Sequence, residues 1–82
     1  MTTLSLLELD RMIFSAMLLR WRKVAMIIIL VSEECQARGI EIPDEDIADR
    51  IIALDREGMI NSRGDLSKWR YSEVCLKPEE GA

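Results

Sequence analysis

The stretch Gly58-Met59-Ile60-Asn61-Ser62-Arg63-Gly64-Asp65-Leu66-Ser67-Lys68-Trp69-Arg70-Tyr71-Ser72-Glu73-Val74-Cys75-Leu76 decides the fold. Met59 to Arg63 and Trp69 to Leu76 read as strands. Between them, Gly64-Asp65-Leu66-Ser67-Lys68 supplies glycine and aspartate where a tight turn needs them. The pattern predicts a hairpin. Along its second arm Trp69, Tyr71, Glu73 and Cys75 share one face and Arg70, Ser72, Val74 and Leu76 the other, and alternation alone leaves open which face is buried. Lys77-Pro78 ends the ladder because proline has no N–H to donate, and Glu79 to Ala82 are expected to form a loose tail.

Upstream of the hairpin, Pro43 opens a helix at the position where its missing N–H costs nothing, and Asp44, Glu45 and Asp46 suit the positive end of the helix dipole. Ile47, Ile51 and Leu54 form an inward stripe, Asp46 is placed to pair with Arg50 four residues on, and Gly58 supplies the stop. Ile40-Glu41-Ile42 alternates between Gly39 and Pro43 and predicts a very short strand. The eight apolar residues Val24 to Val31 point all round a helix. A buried strand competes, but the helix formers around them and the polar stretch Ser32 to Arg38 favour a helix over Trp21 to Arg38.

Ser5 and Glu8 have the spacing of a capping box, with Leu4 and Leu9 as a hydrophobic staple, so a first helix begins there and is expected to end near Leu19. Leu6, Leu9, Ile13 and Met17 form its stripe, widened by Phe14 and Leu18, with Asp10 and Arg11 outward. A kink near Arg20 is the alternative to a break.

The chain has 82 residues, 49% hydrophobic and 32% charged, which is too apolar for a disordered segment and too short for two cores. Residues 1–77 are read as one domain and 78–82 as tail. Met12 to Leu19 and Val24 to Val31 are each far short of the roughly 20 residues that span a bilayer. Cys35 and Cys75 lack the spacing of a zinc or redox site, and the N-terminus has no signal-peptide pattern, so reduced thiols in a cytoplasm are expected. With no histidine and two cysteines, most of the common metal clusters and the histidine-based acid–base sites are excluded, and no cofactor is expected. Cys35, Cys75, Ser67 and Ser72 would each need a base that the sequence does not offer, so no enzyme is expected.

The order helix, helix, short strand, helix, hairpin predicts a small α+β fold of winged-helix type, three helices with a two- to three-stranded sheet. Gly58-Met59-Ile60, Gly64-Asp65-Leu66, Trp69-Arg70 and Ser72-Glu73-Val74 also resemble the closing signature of an uncharacterised bacterial domain family of that type. The resemblance covers about residues 44–76 and is clearest over the last twenty. Members often end larger bacterial proteins, whereas no companion domain is read in this sequence. The resemblance implies the winged-helix fold and no activity.

A winged helix raises the question of DNA. Residues 43–58 hold Asp44, Glu45, Asp46, Asp49, Asp55 and Glu57 against Arg50 and Arg56, a local charge of −4 that equals the net charge of the chain. A recognition helix approaches a densely charged polyanion and is normally cationic, so an acidic one opposes binding. Arg63, Lys68 and Arg70 could reach a minor groove, and a DNA-binding transcription regulator is the alternative reading. The ordinary use of such residues is to guard an exposed strand edge.

The reading favoured is a non-enzymatic protein-binding module, an inhibitor, immunity or adaptor protein. Its candidate partner surface is the acidic face Asp44, Glu45, Asp49 and Asp55 together with the hairpin edge Trp69, Arg70 and Tyr71, residue types enriched at hot spots. The competing role for Trp69 and Tyr71 is to cover a thin sheet. Ile27, Ile28, Ile29 and Leu30, in the run that is apolar on every side, are expected to mediate a homodimer.

Overall fold

The computed structural model describes residues 4–78. Ser5 starts α1 (Leu6–Ala16) by accepting the backbone N–H of Glu8 at 3.1 Å, while its hydroxyl donates to the Glu8 carboxylate at 3.0 Å. The capping box therefore forms, with its return contact made to the hydroxyl. The inward stripe is Leu9, Met12, Ile13, Ala16 and Met17, whereas Leu6 is 63% exposed. Asp10 does not point outward. It accepts from Arg50 on the third helix at 2.6 and 3.0 Å, with the two side chains 17% and 19% exposed. A bidentate contact at that depth pins the two helices in register, and it takes Arg50 away from Asp46.

The first helix stops three residues earlier than expected, and the next begins later, because the segment between them serves the sheet. β1 (Arg22–Lys23) pairs antiparallel with the last strand, and the pairing is extended on either side by Leu76 N–H donating to Leu18 C=O at 2.8 Å and Val24 N–H donating to Ser72 C=O at 3.0 Å. Arg22 also donates to the Ala16 carbonyl at 2.8 Å, satisfying one of the acceptors that the end of α1 leaves open. The chain breaks here; it does not kink.

α2 (Val24–Ala37) is a helix, as its flanks predict, and buries Val24, Ile27, Ile28, Val31 and Cys35. Ile40-Glu41-Ile42 does not form a strand: Ile40 is buried and Ile42 half-buried, but neither joins a ladder. The alternation there reports anchoring of a connection and not pairing. α3 (Asp44–Arg56) follows Pro43 and buries Ile47, Ala48, Ile51 and Leu54. It closes at Gly58, whose φ of +76° lets the Met59 N–H reach back to the Leu54 carbonyl at 3.0 Å.

β2 (Ile60–Arg63) and β3 (Glu73–Leu76) complete a three-stranded antiparallel sheet in the order β1-β3-β2. The fold is α+β, three helices and a short sheet; the strand outside the hairpin is β1, between α1 and α2, and not Ile40 to Ile42, which lie between α2 and α3. The second arm of the hairpin is shorter than its composition suggests. Lys68 N–H donates to Asp65 C=O and Tyr71 N–H to Lys68 C=O, so residues 65–71 form successive turns. The buried face of β3 carries Val74, next to the buried Ser72, and Cys75 is buried as well. Gly64, at φ +82°, lies where an added Cβ would stand 3.2 Å from the Tyr71 carbonyl oxygen, so both backbone conformation and space call for glycine. The expected tail, Glu79 to Ala82, lies outside the described residues.

Candidate functional site

α3 concentrates negative charge. Its buried stripe leaves Asp44, Glu45, Asp46 and Asp49 exposed over the first half of the helix, with Arg56 and Glu57 exposed at the far end. Arg50, the cation closest in sequence to the acidic group, is held by Asp10, and that ion pair keeps its pKa above the ordinary arginine value. Asp55 departs from the expected outward face. It is half-buried and accepts the Ser62 hydroxyl at 2.7 Å, tying the end of α3 to β2. The acidic surface is therefore Asp44, Glu45 and Asp49 with Asp46, and Asp55 is removed from it.

The hairpin residues also divide. Trp69 is half-buried and packs against the hydrophobic core beside Leu66, while Tyr71 is 84% exposed. The Arg70 guanidinium lies 5.3 Å from the Trp69 ring centroid, within cation–π range. Since residues 65–71 are turns, Trp69, Arg70 and Tyr71 form a tip and not a strand edge. Asp65 organises that tip by accepting the Ser67 hydroxyl at 2.6 Å and the Ser67 backbone N–H at 2.9 Å, contacts that hold its carboxyl below the ordinary aspartate value.

Of the cations proposed for nucleic acid, Arg63 is engaged twice. It pairs with Glu73, its cross-strand neighbour, at 2.8 Å and lies 4.4 Å from the Trp21 ring centroid. Lys68 and Arg70 are exposed and, among the described residues, form no ion pair. A minor-groove contact from this hairpin would thus rest on two side chains.

The expected self-association surface is largely interior. Ile27 and Ile28 are 0% and 1% exposed, because α2 is flanked by both other helices and approached by β1, so they belong to the core. Ile29 is 50% exposed and Met26 44%, with Leu30 half-buried. These three are the large apolar side chains that α2 leaves at least partly outside.

The nucleophile candidates are placed as follows. Cys35 is buried with its thiol 3.7 Å from the Met12 sulfur, and burial, then the nearby Glu34, push its pKa up in spite of Arg38. Cys75 is buried and, like Cys35, free. Ser67 donates to Asp65, and Ser72 is wholly buried with its hydroxyl lacking a partner among the described residues. No group of three or more Cys, Asp or Glu among the described residues is placed to hold a metal, and no helix of the described residues is long and apolar enough to cross a membrane.

Residue-by-residue reading missed two features. The Asp10–Arg50 pair joins positions forty apart, for which no local spacing is a signal. Beside it runs a groove between the start of α1 and the first turns of α3, whose two walls come from opposite halves of the chain. Fold and site together define a small α+β protein with an acidic helix and an aromatic–basic hairpin tip. Comparison with protein-family models, with curated proteins and with solved structures finds no match.

Proposed function

We propose that this chain is a winged-helix-like module that acts by binding another protein, without catalysis, through the acidic face of α3 and the hairpin tip. The carrying observation is that α3 exposes Asp44, Glu45, Asp46 and Asp49 while Arg50 is turned inward to Asp10. Four carboxylates on one exposed half-helix set up a negative potential that attracts a basic partner and repels a phosphate backbone. The succession helix, strand, helix, helix, hairpin with β3 central supports the winged-helix comparison. The engagement of Arg63 by Glu73 and Trp21 weighs against duplex DNA as the partner. An inhibitor or adaptor that covers a basic surface has this charge layout, and pairing of two copies through Met26, Ile29 and Leu30 is compatible with it.

Native mass spectrometry of the protein isolated from its own host at low salt tests the reading. The expected result is a co-purifying basic protein that is lost from a Glu45→Lys, Asp49→Lys double variant with unchanged circular dichroism. A co-purifying nucleic acid, or a protein partner that the double variant retains, would overturn it.

A further inference from the structure

The groove between α1 and α3 has a character of its own. Leu4, Leu9, Ile42 and Ala53 give it an apolar lining, Leu6 stands exposed within it, and the groove, open to solvent, offers about 400 Å³. Its charged rim is uneven. Asp46 and Asp49 are exposed there, whereas Arg50, its one basic lining residue, already gives both of its hydrogen bonds to Asp10.

An apolar lining favours an apolar side chain, and a rim carrying two open carboxylates favours cations on either side of it and disfavours an acidic partner. The volume lies at the small end of the range for pockets, so it suits one or two anchoring side chains and not an extended seam. A helix presents such anchors one turn apart, and Lys or Arg on the same helix would fall beside them. A second copy of this chain would bring another charge of −4 to an acidic rim, which argues against it as occupant.

We infer that this groove receives the apolar anchor of a basic amphipathic helix on a partner protein, whose lysines or arginines flank the anchor and meet Asp46 and Asp49. The inference rests on the protein-binding reading above and adds to it a particular site and a particular partner chemistry.

The test uses the full chain, isotopically labelled, titrated with a synthetic amphipathic helix that carries leucines at i and i+4 flanked by lysines. The expected outcome is that amide shifts concentrate in Leu6 to Leu9 and Asp46 to Ala53. Replacing the peptide's leucines by serine, or its lysines by glutamate, should abolish them. Ala53→Phe, which fills the groove, should weaken binding about tenfold or more. Should that variant fail to fold, Leu6→Lys at an exposed position removes the apolar edge and repels the peptide's lysines, so it should weaken binding comparably, and unaltered affinity in the folded variant overturns the inference. Shifts confined to the outer residues Glu45 and Arg56 and indifferent to the leucine-to-serine change overturn the groove while leaving the acidic-face reading intact. No shifts anywhere overturn both. Concentration-dependent shifts of the groove residues without peptide assign it to a second copy, and overturn the basic partner.

Discussion

Helix α2 and the hairpin are held in the molecule by opposite means. α2 buries five side chains and makes few directional contacts, chiefly the exposed Arg38–Glu34 pair and the Cys35–Met12 sulfur contact. The hairpin and its tip bury little beyond Ile60, Ser72, Val74 and Cys75. Their shape is set by Asp55–Ser62, Arg63–Glu73, Asp65–Ser67, the Arg63–Trp21 stack and the glycine at 64. Apolar burial is non-directional and scales with area, so it supplies stability, whereas exposed ion pairs contribute about 1 kcal/mol or less and instead select one geometry among several. The difference teaches that the folding free energy sits in the helices while the surface offered to a partner is shaped by weak, specific contacts.

The comparison breaks first at α2. An 82-residue domain has a total stability of roughly 4 to 12 kcal/mol, and placing an unpaired charge at buried Ile28 costs about 4 kcal/mol or more. Ile28→Asp should therefore be largely unfolded by circular dichroism, while Ile29→Asp, one position on and half exposed, should stay folded. If two copies pair through this face, light scattering will show Ile29→Asp as a monomer where the parent is a dimer. An unfolded Ile29→Asp would mean that the outer surface of α2 is part of the core after all.

A smaller effect sharpens the boundary between core and tip. Trp69 is half-buried against the core, so Trp69→Ala should cost about 2 kcal/mol in denaturant unfolding, short of the roughly 3 to 5 kcal/mol of a fully buried tryptophan. A negligible loss together with weakened partner binding would instead make Trp69 an interface anchor, on the hot-spot scale of about 2 kcal/mol.

The smallest effect is confined to the tip. Because the Ser67 contacts lower the folded-state pKa of Asp65, the charged form is favoured by folding. Its contribution is fully present above the ordinary value of 3.8 and is lost as pH falls through the lower folded value. The carboxyl resonance of Asp65 should thus titrate below 3.8 in the parent and move up toward it in Ser67→Ala. An unchanged titration in that variant would remove the Ser67 hydroxyl as the cause and leave the Ser67 backbone N–H.

Much of this was readable along the chain. The Ser5–Glu8 cap, the Pro43 start with its acids, the Gly58 stop and the Gly64-Asp65 turn each depend on neighbours within a few residues, so local spacing carries them. The acidic face of α3 was legible for the same reason, since the period of Ile47, Ile51 and Leu54 says which positions are left outside. Asp55 escaped that logic because it borders the stripe, where a β2 hydroxyl could claim it. Trp69 to Tyr71 misled because strand-favouring composition says nothing about whether a partner strand is within reach.

The sequence by itself determined where the helices begin and end at α3 and the start of α1, that a turn lies at residues 64–68, and that negative charge is concentrated in and beside one helix. Only the tertiary structure decided that Arg22 and Lys23 join a sheet, that Ile27 and Ile28 are interior while Ile29 is not, that Arg50 belongs to Asp10, and that α1 and α3 leave a groove between them. Local signals act through dihedral preference and contacts one turn away, whereas a strand needs a ladder partner and a buried face needs something to cover it. In this chain those partners come from fifty residues on for β1 and forty for Asp10, distances that the pattern of neighbours does not encode.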